Sequence, residues 1–114
     1  MVRDLVNVVT KVFPNEYYEL HIHDTRGMGV VCTLAGIEAG IPNVQAALGG
    51  LGGCPFAPGA SGNVASEDLI YMFNEMGMET GISFERMLEA AKYETTIIDG
   101  NFSSHQIHIG EPCK

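Results

Sequence analysis

The sequence predicts an α/β protein, a fold class in which helices and strands alternate along the chain. Apolar residues at helical spacing recur between short stretches of strand-like alternation, and breaks rich in glycine or proline separate them. Such alternation is typical of a parallel sheet that helices cover on both faces. A closed (β/α)8 barrel needs about 250 residues. A chain of 114 residues therefore accounts for half a barrel or less.

The first third of the chain predicts a helix, a strand and a second helix. Residues 3–13 form a helical pattern that ends at Pro14, and its apolar stripe is expected to face a sheet or another helix. The stripe consists of Leu5, Val8, Val9 and Val12. Residues 17–23 alternate in polarity, which predicts a strand with one apolar and one polar face. The next helix is expected to end at Gly40, with a stripe of Val30, Val31, Leu34 and Ile37.

The later elements surround a glycine-rich loop. Residues 41–48 predict a short strand that leads into the loop at 48–63. Ser66 is then expected to cap a helix, and another helix is expected to begin near Ser83. The two stripes are Leu69, Met72, Phe73 and Met76, then Phe84, Met87, Leu88 and Ala91. After Tyr93 the expected features are short strands at 95–98 and 106–109 and a loose tail at 111–114.

Composition excludes several classes of function. The net charge of −8 and the scattered lysines and arginines argue against binding to nucleic acid. No apolar run is long enough to span a bilayer, and the start of the sequence lacks the pattern of a signal peptide. Three cysteines at spacings that match no zinc or disulfide framework suit a reducing compartment. We therefore expect a cytoplasmic protein.

The polar face of the first strand carries a candidate metal site. His21 and His23 are two residues apart on one face, so both can bind a single divalent cation at the end where α/β proteins place their sites. The alternative is a polar interior in which neighbours such as Glu19 satisfy the two rings. Asp24 is either a partner that supports the ligands or the cap of the next helix. Arg26, just beyond, is a candidate for an anionic substrate group or a solvated residue.

The glycine-rich loop places a single cysteine, Cys54, in a backbone that cannot form a regular helix or strand. A nearby cation would favour the thiolate of this cysteine and raise its reactivity, whereas the alternative is a small buried apolar residue. Asn63 closes the loop and offers an amide oxygen suited to a hard cation, or serves as a turn residue. We read His105 and His108 as surface residues.

These motifs resemble the 3-hydroxy-3-methylglutaryl-CoA (HMG-CoA) lyase family. The resemblance rests on three segments and extends over about residues 1–93, leaving 94–114 poorly assigned. The segments are His21-Ile22-His23-Asp24-Thr25, the loop Gly50-Leu51-Gly52-Gly53-Cys54-Pro55-Phe56-Ala57 through Gly59-Ala60-Ser61-Gly62-Asn63, and Glu67-Asp68-Leu69 with Tyr71-Met72. The resemblance implies that residues 1–114 are the C-terminal part of a (β/α)8 barrel: its last three βα units and a C-terminal helix.

The resemblance also implies a reaction and its residues. Members of this family cleave HMG-CoA to acetyl-CoA and acetoacetate, a step of leucine and ketone-body metabolism. His21, His23 and Asn63 would be ligands of Mg²⁺ or Mn²⁺, and Cys54 would be the catalytic acid/base. The family's metal carboxylate lies in a part of the barrel that would precede Met1. Gln45 and Ala47 stand where members of the family commonly have Asp and Ser.

Three hypotheses follow from this resemblance. The first is that the chain is part of such a lyase and needs the N-terminal part of the barrel to complete its site. A non-catalytic half barrel that self-associates or pairs with a companion subunit is the second, since sheet edges and apolar stripes would drive pairing. The third is a related lyase or aldolase that acts on another 3-hydroxyacyl-CoA or a 4-hydroxy-2-oxo acid.

Overall fold

Helices and strands alternate in the computed structural model of the chain, which describes residues 1–53, 56 and 59–109. The elements are α1 (Val2–Val12), β1 (Leu20–His21), α2 (Gly29–Glu38), β2 (Val44–Gln45), α3 (Ser66–Glu75) and α4 (Phe84–Ile97). Two short 3₁₀ turns lie at Leu48–Gly50 and Gln106–His108. The predicted α/β class is confirmed, and the predicted helices begin and end within a few residues of the observed ones.

The two strands are short and parallel. Leu20 of β1 lies opposite Val44 of β2, and α2 provides the crossover that a parallel pair requires. A third extended segment joins them after the glycine-rich loop: the Val64 amide donates to the Ile22 carbonyl, and the Ala47 amide donates to the Val64 carbonyl, each at 3.1 Å. The described residues thus contain two short parallel strands and this bridging segment, and the three predicted βα units stay a prediction.

The fully buried residues of α2 are small ones and do not belong to its predicted stripe. Gly29, Thr33 and Gly36 are the buried residues of α2, whereas Val31 is half exposed. A Cβ on Gly36 would lie 2.6 Å from Leu20 Cδ1, so the leucine occupies the space that a side chain would need. Close approach of the helix to the strand therefore determines which residues of α2 are fully buried. Val30 and Ile37 of the predicted stripe are partly buried against the core clusters.

The apolar core consists of two clusters. One joins Val64 to the inner face of α3 and contains Val64, Leu69, Ile70 and Phe73. The other joins α1 to the sheet and contains Val6, Leu20 and Ile41. Burial alternates along β1, where Leu20 is buried and His21 is exposed, as the polarity pattern predicts. The polar face of β1, which carries His21, thus lies on the side of the sheet away from the second cluster.

The predicted buried stripe of α1 is wrong for this chain. Val6 is the buried residue of α1, whereas Leu5, Val8 and Val12 are 60–64% exposed. α1 lies against α2 and the second core cluster through Val2 and Val6. Its opposite apolar face is therefore open in this structure.

Three other local expectations are also wrong. Ser66 is the first residue of α3 rather than its cap; the Ser66 amide donates to the Ala47 carbonyl at 2.9 Å, so the sheet satisfies it. Residues 95–97 extend α4 instead of forming a strand, and the Thr95 and Thr96 hydroxyls donate to carbonyls three residues earlier. Residues 106–108 form a 3₁₀ turn, and the tail at 111–114 lies outside the described residues.

The Ser83 cap is confirmed, since its hydroxyl accepts a hydrogen bond from the Arg86 amide at 3.3 Å. Among the helices that the structure describes, none is both long and apolar enough to cross a membrane.

Candidate active site

His21 and His23 lie side by side where β1 ends. Their ring centroids are 5.3 Å apart, because residues two apart on a strand point to the same side. The ring of His21 is exposed and that of His23 is half buried. Both imidazoles are thus presented on the polar face of the sheet, as the sequence predicts.

Gln45 on the neighbouring strand orients His21. The Nδ1 of His21 lies 3.2 Å from Gln45 Oε1, and Gln45 Nε2 donates to Glu19 Oε2 at 2.5 Å. Because an amide oxygen only accepts, this contact places the proton on Nδ1 and leaves Nε2 of His21 free as a ligand atom. Glu19 therefore supports His21 through Gln45.

Asn63 lies directly opposite His23. The two residues form an antiparallel bridge, because the Asp24 amide donates to the Gly62 carbonyl at 3.0 Å and the Val64 amide donates to the Ile22 carbonyl at 3.1 Å. Residues forty positions apart are thus brought to one edge of the sheet. The fold brings together the three residues that the sequence singled out as ligands.

The side chain of Asn63 is held with its oxygen unpaired. Its Nδ2 donates to the Leu51 carbonyl at 2.9 Å, and this fixes which way the amide faces. Its Oδ1 is buried and has no hydrogen-bond partner among the described residues. A buried acceptor without a partner is costly, and a hard cation is a suitable partner for an amide oxygen. The donor set therefore fits a divalent cation that His21, His23 and Asn63 would share.

The two ends of the glycine-rich loop meet at Gly50, Gly52 and Gly62, here called the neck of the loop, and they set the position of Asn63. A Cβ on Gly62 would lie 1.9 Å from the Gly52 carbonyl oxygen and 3.0 Å from that of Gly50. Gly50 and Gly52 have φ values of 70° and 111°, which other residues rarely adopt. The two ends of the loop therefore touch backbone to backbone, which leaves no space for a side chain at Gly62.

Asp24 has the structural role that the sequence left open. Its Oδ1 accepts a 2.5 Å hydrogen bond from the Gly29 amide, at the start of α2. The Ser61 hydroxyl donates to the Asp24 carbonyl, also at 2.5 Å, which ties the loop to the end of β1. Arg26 is exposed in the following turn, which the Gly27 amide closes onto the Asp24 carbonyl at 2.9 Å.

The predicted catalytic residue, Cys54, lies outside the described residues. Within 1–53, 56 and 59–109, no group of three or more His, Cys, Asp and Glu side chains is arranged to hold a metal ion. The candidate cation site in this part of the chain therefore has two imidazoles and one amide.

Sequence reasoning missed two acidic residues behind the site. Glu67 is fully buried, and its Oε2 accepts a 3.1 Å hydrogen bond from the Gly49 amide. Asp68 binds the C-terminal segment through Ser104, His105 and Gln106. In the sequence, both read as acids that favour the N-terminus of α3. Their neighbours in sequence, Ser66 and Leu69, do not indicate that Glu67 is buried, since its burial depends on contacts distant in sequence.

Together, these features define a class of protein: an α/β chain that presents an imidazole pair and a loop asparagine at the carboxyl ends of parallel strands. The family model described as HMGL-like matches residues 1–93. The chain belongs to this family, and the resemblance inferred from its motifs is confirmed.

Curated relatives of the chain are hydroxymethylglutaryl-CoA lyases. The mitochondrial enzyme of Mus musculus is 38% identical over 104 residues, which cover 91% of this chain and 32% of the relative. The enzyme of Bacillus subtilis is 44% identical over 81 residues, which cover 71% of this chain and 27% of the relative. The cytoplasmic enzyme of Rattus norvegicus is 44% identical over 91 residues, which cover 80% of this chain and 26% of the relative. The chain thus spans about a third of the length of these relatives or less.

Solved structures agree with this assignment. The HMG-CoA lyase of Bacillus subtilis has a TM-score of 0.87 at 35% identity, covering 95% of this chain and 36% of that one. An HMG-CoA lyase of Acinetobacter baumannii, described in complex with coenzyme A and 3-methylmalate, has a TM-score of 0.85 at 37% identity and covers 99% of this chain and 39% of that one. These neighbours are barrel enzymes, and the present chain matches little more than a third of each.

Proposed function

We propose that the chain supplies the metal-ligand strand and catalytic loop of a divalent-metal-dependent lyase that cleaves HMG-CoA to acetyl-CoA and acetoacetate. The observation that carries this proposal is the unpaired Oδ1 of Asn63, a residue whose backbone pairs with that of His23 where β1 ends. Family membership supplies the reaction class. The proposal concerns the assembled enzyme, since the chain spans about a third of the length of its relatives.

The residues of this chain have separate tasks. Nε2 of His21, an imidazole nitrogen of His23 and Oδ1 of Asn63 would hold Mg²⁺ or Mn²⁺. Gln45 keeps the His21 ring in the required tautomer. When bound, the cation would lower the pKa of the substrate's tertiary hydroxyl and polarise its acyl oxygen, which favours cleavage of the carbon–carbon bond. Two imidazoles and an amide bring no negative charge, so a carboxylate from another part of the enzyme would complete the site.

Cys54 is proposed as the acid that protonates the acetyl-CoA enolate as it leaves. The position of this cysteine in a glycine-rich loop suits such a role, because a loop with few side chains can close over substrate and exclude water. The loop is anchored at both ends near the candidate ligands, by Ser61 to the Asp24 carbonyl and by Leu51 to the Asn63 amide. Arg26 is proposed to face an anionic group of the substrate.

The completing part of the enzyme is proposed to cover α1. Leu5, Val8 and Val12 form an exposed apolar face on this helix, which is the kind of surface that another part of a barrel would bury. The occupant would be the N-terminal part of the barrel, with a second copy of the chain or a companion subunit as the alternative. A related 3-hydroxyacyl-CoA or 4-hydroxy-2-oxo acid is the alternative substrate.

Cation binding can be measured without catalysis. We expect the purified chain to bind Mn²⁺, as followed by the loss of free Mn²⁺ signal in electron paramagnetic resonance. Asn63→Ala should weaken this binding at least tenfold, since loss of a residue that only supports a ligand already costs about 10–100-fold. Asn7→Ala, on the exposed face of α1, is the matched control and should bind as the parent does. Equal affinity of the two variants would remove Asn63 from the ligand set.

Catalysis tests the whole proposal. We expect acetoacetate release from HMG-CoA only with Mg²⁺ or Mn²⁺ present, from the chain assembled with the part that completes its barrel. Cys54→Ala should lower kcat by about 10²–10⁴-fold, the usual contribution of a general acid. Cys32→Ala, on α2, is the matched control.

Full activity of Cys54→Ala would refute the role of the thiol, and a preference for another acyl-CoA or oxo acid would favour the alternative substrate. Sedimentation of the same sample shows whether the partner is a different polypeptide or a second copy.

A further inference from the structure

Glu67 is a buried carboxylate with half of its hydrogen-bonding capacity unused. The residue is 0% exposed, and its Oε2 accepts the Gly49 amide at 3.1 Å. Its Oε1 is also buried and has no partner in the part of the chain that the structure describes. Such an atom is rarely left unpaired, because no hydrogen bond then compensates for the free energy lost when its hydration is removed. Since the described chain already encloses Glu67, the missing partner must come from groups that pack around it.

Glu94 of α4 provides a second unpaired oxygen at the same place. Its Oε2 is buried and has no described partner, and it lies 3.5 Å from the point where a Cβ on Gly49 would stand. Helices α3 and α4 thus each bring a carboxyl group to Gly49. Burial first, and then the nearby Glu67 carboxylate, raise the pKa of Glu94 above its usual value.

The other charged groups on the surrounding elements face elsewhere. Asp68, next to Glu67 on α3, turns to the C-terminal segment and pairs with His105 at 2.9 Å. Arg86 and Lys92 on α4 are exposed. In the described residues, neither Glu67 nor Glu94 takes part in an ion pair. On the remaining side, the Phe102 ring would lie 2.5 Å from a Cβ on Gly49, so an apolar group closes the pocket.

We propose that Glu94 keeps its proton to a higher pH in the folded chain than in the unfolded chain and donates it, directly or through one water, to Oε1 of Glu67. Glu67 then uses both oxygens: Oε1 accepts from the Glu94 hydroxyl, and Oε2 accepts from the Gly49 amide. One proton satisfies both orphaned atoms and removes the repulsion between two buried carboxylates. No other charged group is required.

This shared proton makes Glu94 a positioning residue for the loop. Gly49 begins the turn that continues to Leu51, and the Leu51 carbonyl holds the Asn63 amide at 2.9 Å. The Ser103 and Ser104 amides donate to the Gly49 carbonyl at 3.1 and 3.3 Å, so the C-terminal segment meets the same residue. The consequence for Asn63 rests on the proposed function, whereas the shared proton itself does not.

The sign of the pH dependence follows from the raised pKa of Glu94. In the window between the model-compound value of 4.5 and the raised folded value, the folded chain binds more protons than the unfolded chain. The contribution of Glu94 to folding stability is therefore full below that window and is lost as pH rises through the folded pKa. A neutral amide at this position retains a donor and removes the titration.

The test compares Glu94→Gln with Glu89→Gln, an exposed position on the same helix. Without metal or substrate, we expect Glu94→Gln to raise Tm at pH 8 by about 4–8 °C, which corresponds to roughly a fivefold larger folding equilibrium constant. The gain should shrink toward zero near pH 4.5, and Glu89→Gln should change little at either pH. A lower Tm for Glu94→Gln at pH 8, or an offset that is the same at both pH values, would overturn the proposal.

A second measurement takes its main result from the parent chain, with one variant as a control. In the parent chain with ¹³C-labelled glutamate, the Glu94 carboxyl signal should titrate above the other glutamates, and the Gly49 amide signal should shift with the same midpoint. Glu67→Gln should abolish this coupled shift, because an amide nitrogen then faces Glu94. A Glu94 carboxyl that titrates at its ordinary value, or a Gly49 amide that does not follow it, would refute the shared proton. Since cation and substrate are absent, either failure leaves the proposed lyase function standing.

Discussion

Gly62→Ala is expected to destabilise the chain by about 3 kcal/mol and to abolish binding of Mn²⁺ at the candidate site. The added Cβ would lie 1.9 Å from the Gly52 carbonyl oxygen, and the obstacle is backbone that cannot rotate away. The neck of the loop must then open. Because Asn63 follows directly and depends on the Leu51 carbonyl for its orientation, its unpaired oxygen would lose its fixed position. Urea denaturation and Mn²⁺ titration measure the two effects.

Gly53→Ala is the matched control, since a Cβ there would meet no atom of the described residues within 4 Å and its φ is not positive. We expect this variant to change stability by less than about 0.5 kcal/mol, as is usual for an exposed substitution. A Gly62→Ala chain that matched Gly53→Ala in both measurements would contradict the role of the neck.

Asp68→Ala is expected to release the C-terminal segment from α3 at a cost of about 3 kcal/mol. The carboxylate accepts hydrogen bonds from the Ser104 hydroxyl and from the His105 and Gln106 amides, and it also contacts the His105 ring at 2.9 Å. Hydrogen bonds to a charged group contribute about 1.5–3 kcal/mol, and several amides lose their acceptor together. Denaturant titration measures the loss of stability, and amide exchange at residues 104–107 should become much faster.

Asp99→Ala provides the control for this change, because Asp99 is an exposed acid shortly after α4. It should leave both stability and amide exchange near the parent values. If Asp68→Ala instead lost less than about 1 kcal/mol with unchanged exchange at 104–107, the segment would be held by its contacts with Gly49 and by Ile107 burial.

The helices were predictable because their signals are local. The apolar periodicity of residues 84–91 and the Ser83 cap define the start of α4 without any tertiary contact. The end of α4 was less predictable. Residues 95–97 have β-branched side chains that favour strands, yet the hydroxyls of Thr95 and Thr96 donate to helix carbonyls. The buried face of α1 was missed for a different reason. An amphipathic pattern shows that a face suits burial, but it does not show which contacts this chain supplies.

The candidate site was also predictable only in part. Residue type and spacing identified His21 and His23, since strand period alone places their rings together, and the motifs identified the family. Spacing did not reveal that Asn63 pairs with His23 or that Gln45 connects His21 to Glu19.

The sequence by itself determined the α/β class, the family and the chemistry of the candidate residues, because these depend on local periodicity and on side-chain type. Tertiary structure alone decided which polar atoms are left without a partner. The unpaired oxygens of Asn63, Glu67 and Glu94 arise where the loop, α3 and α4 meet. Burial and the loss of hydrogen-bond partners are properties of contacts between distant segments, so no local pattern encodes them.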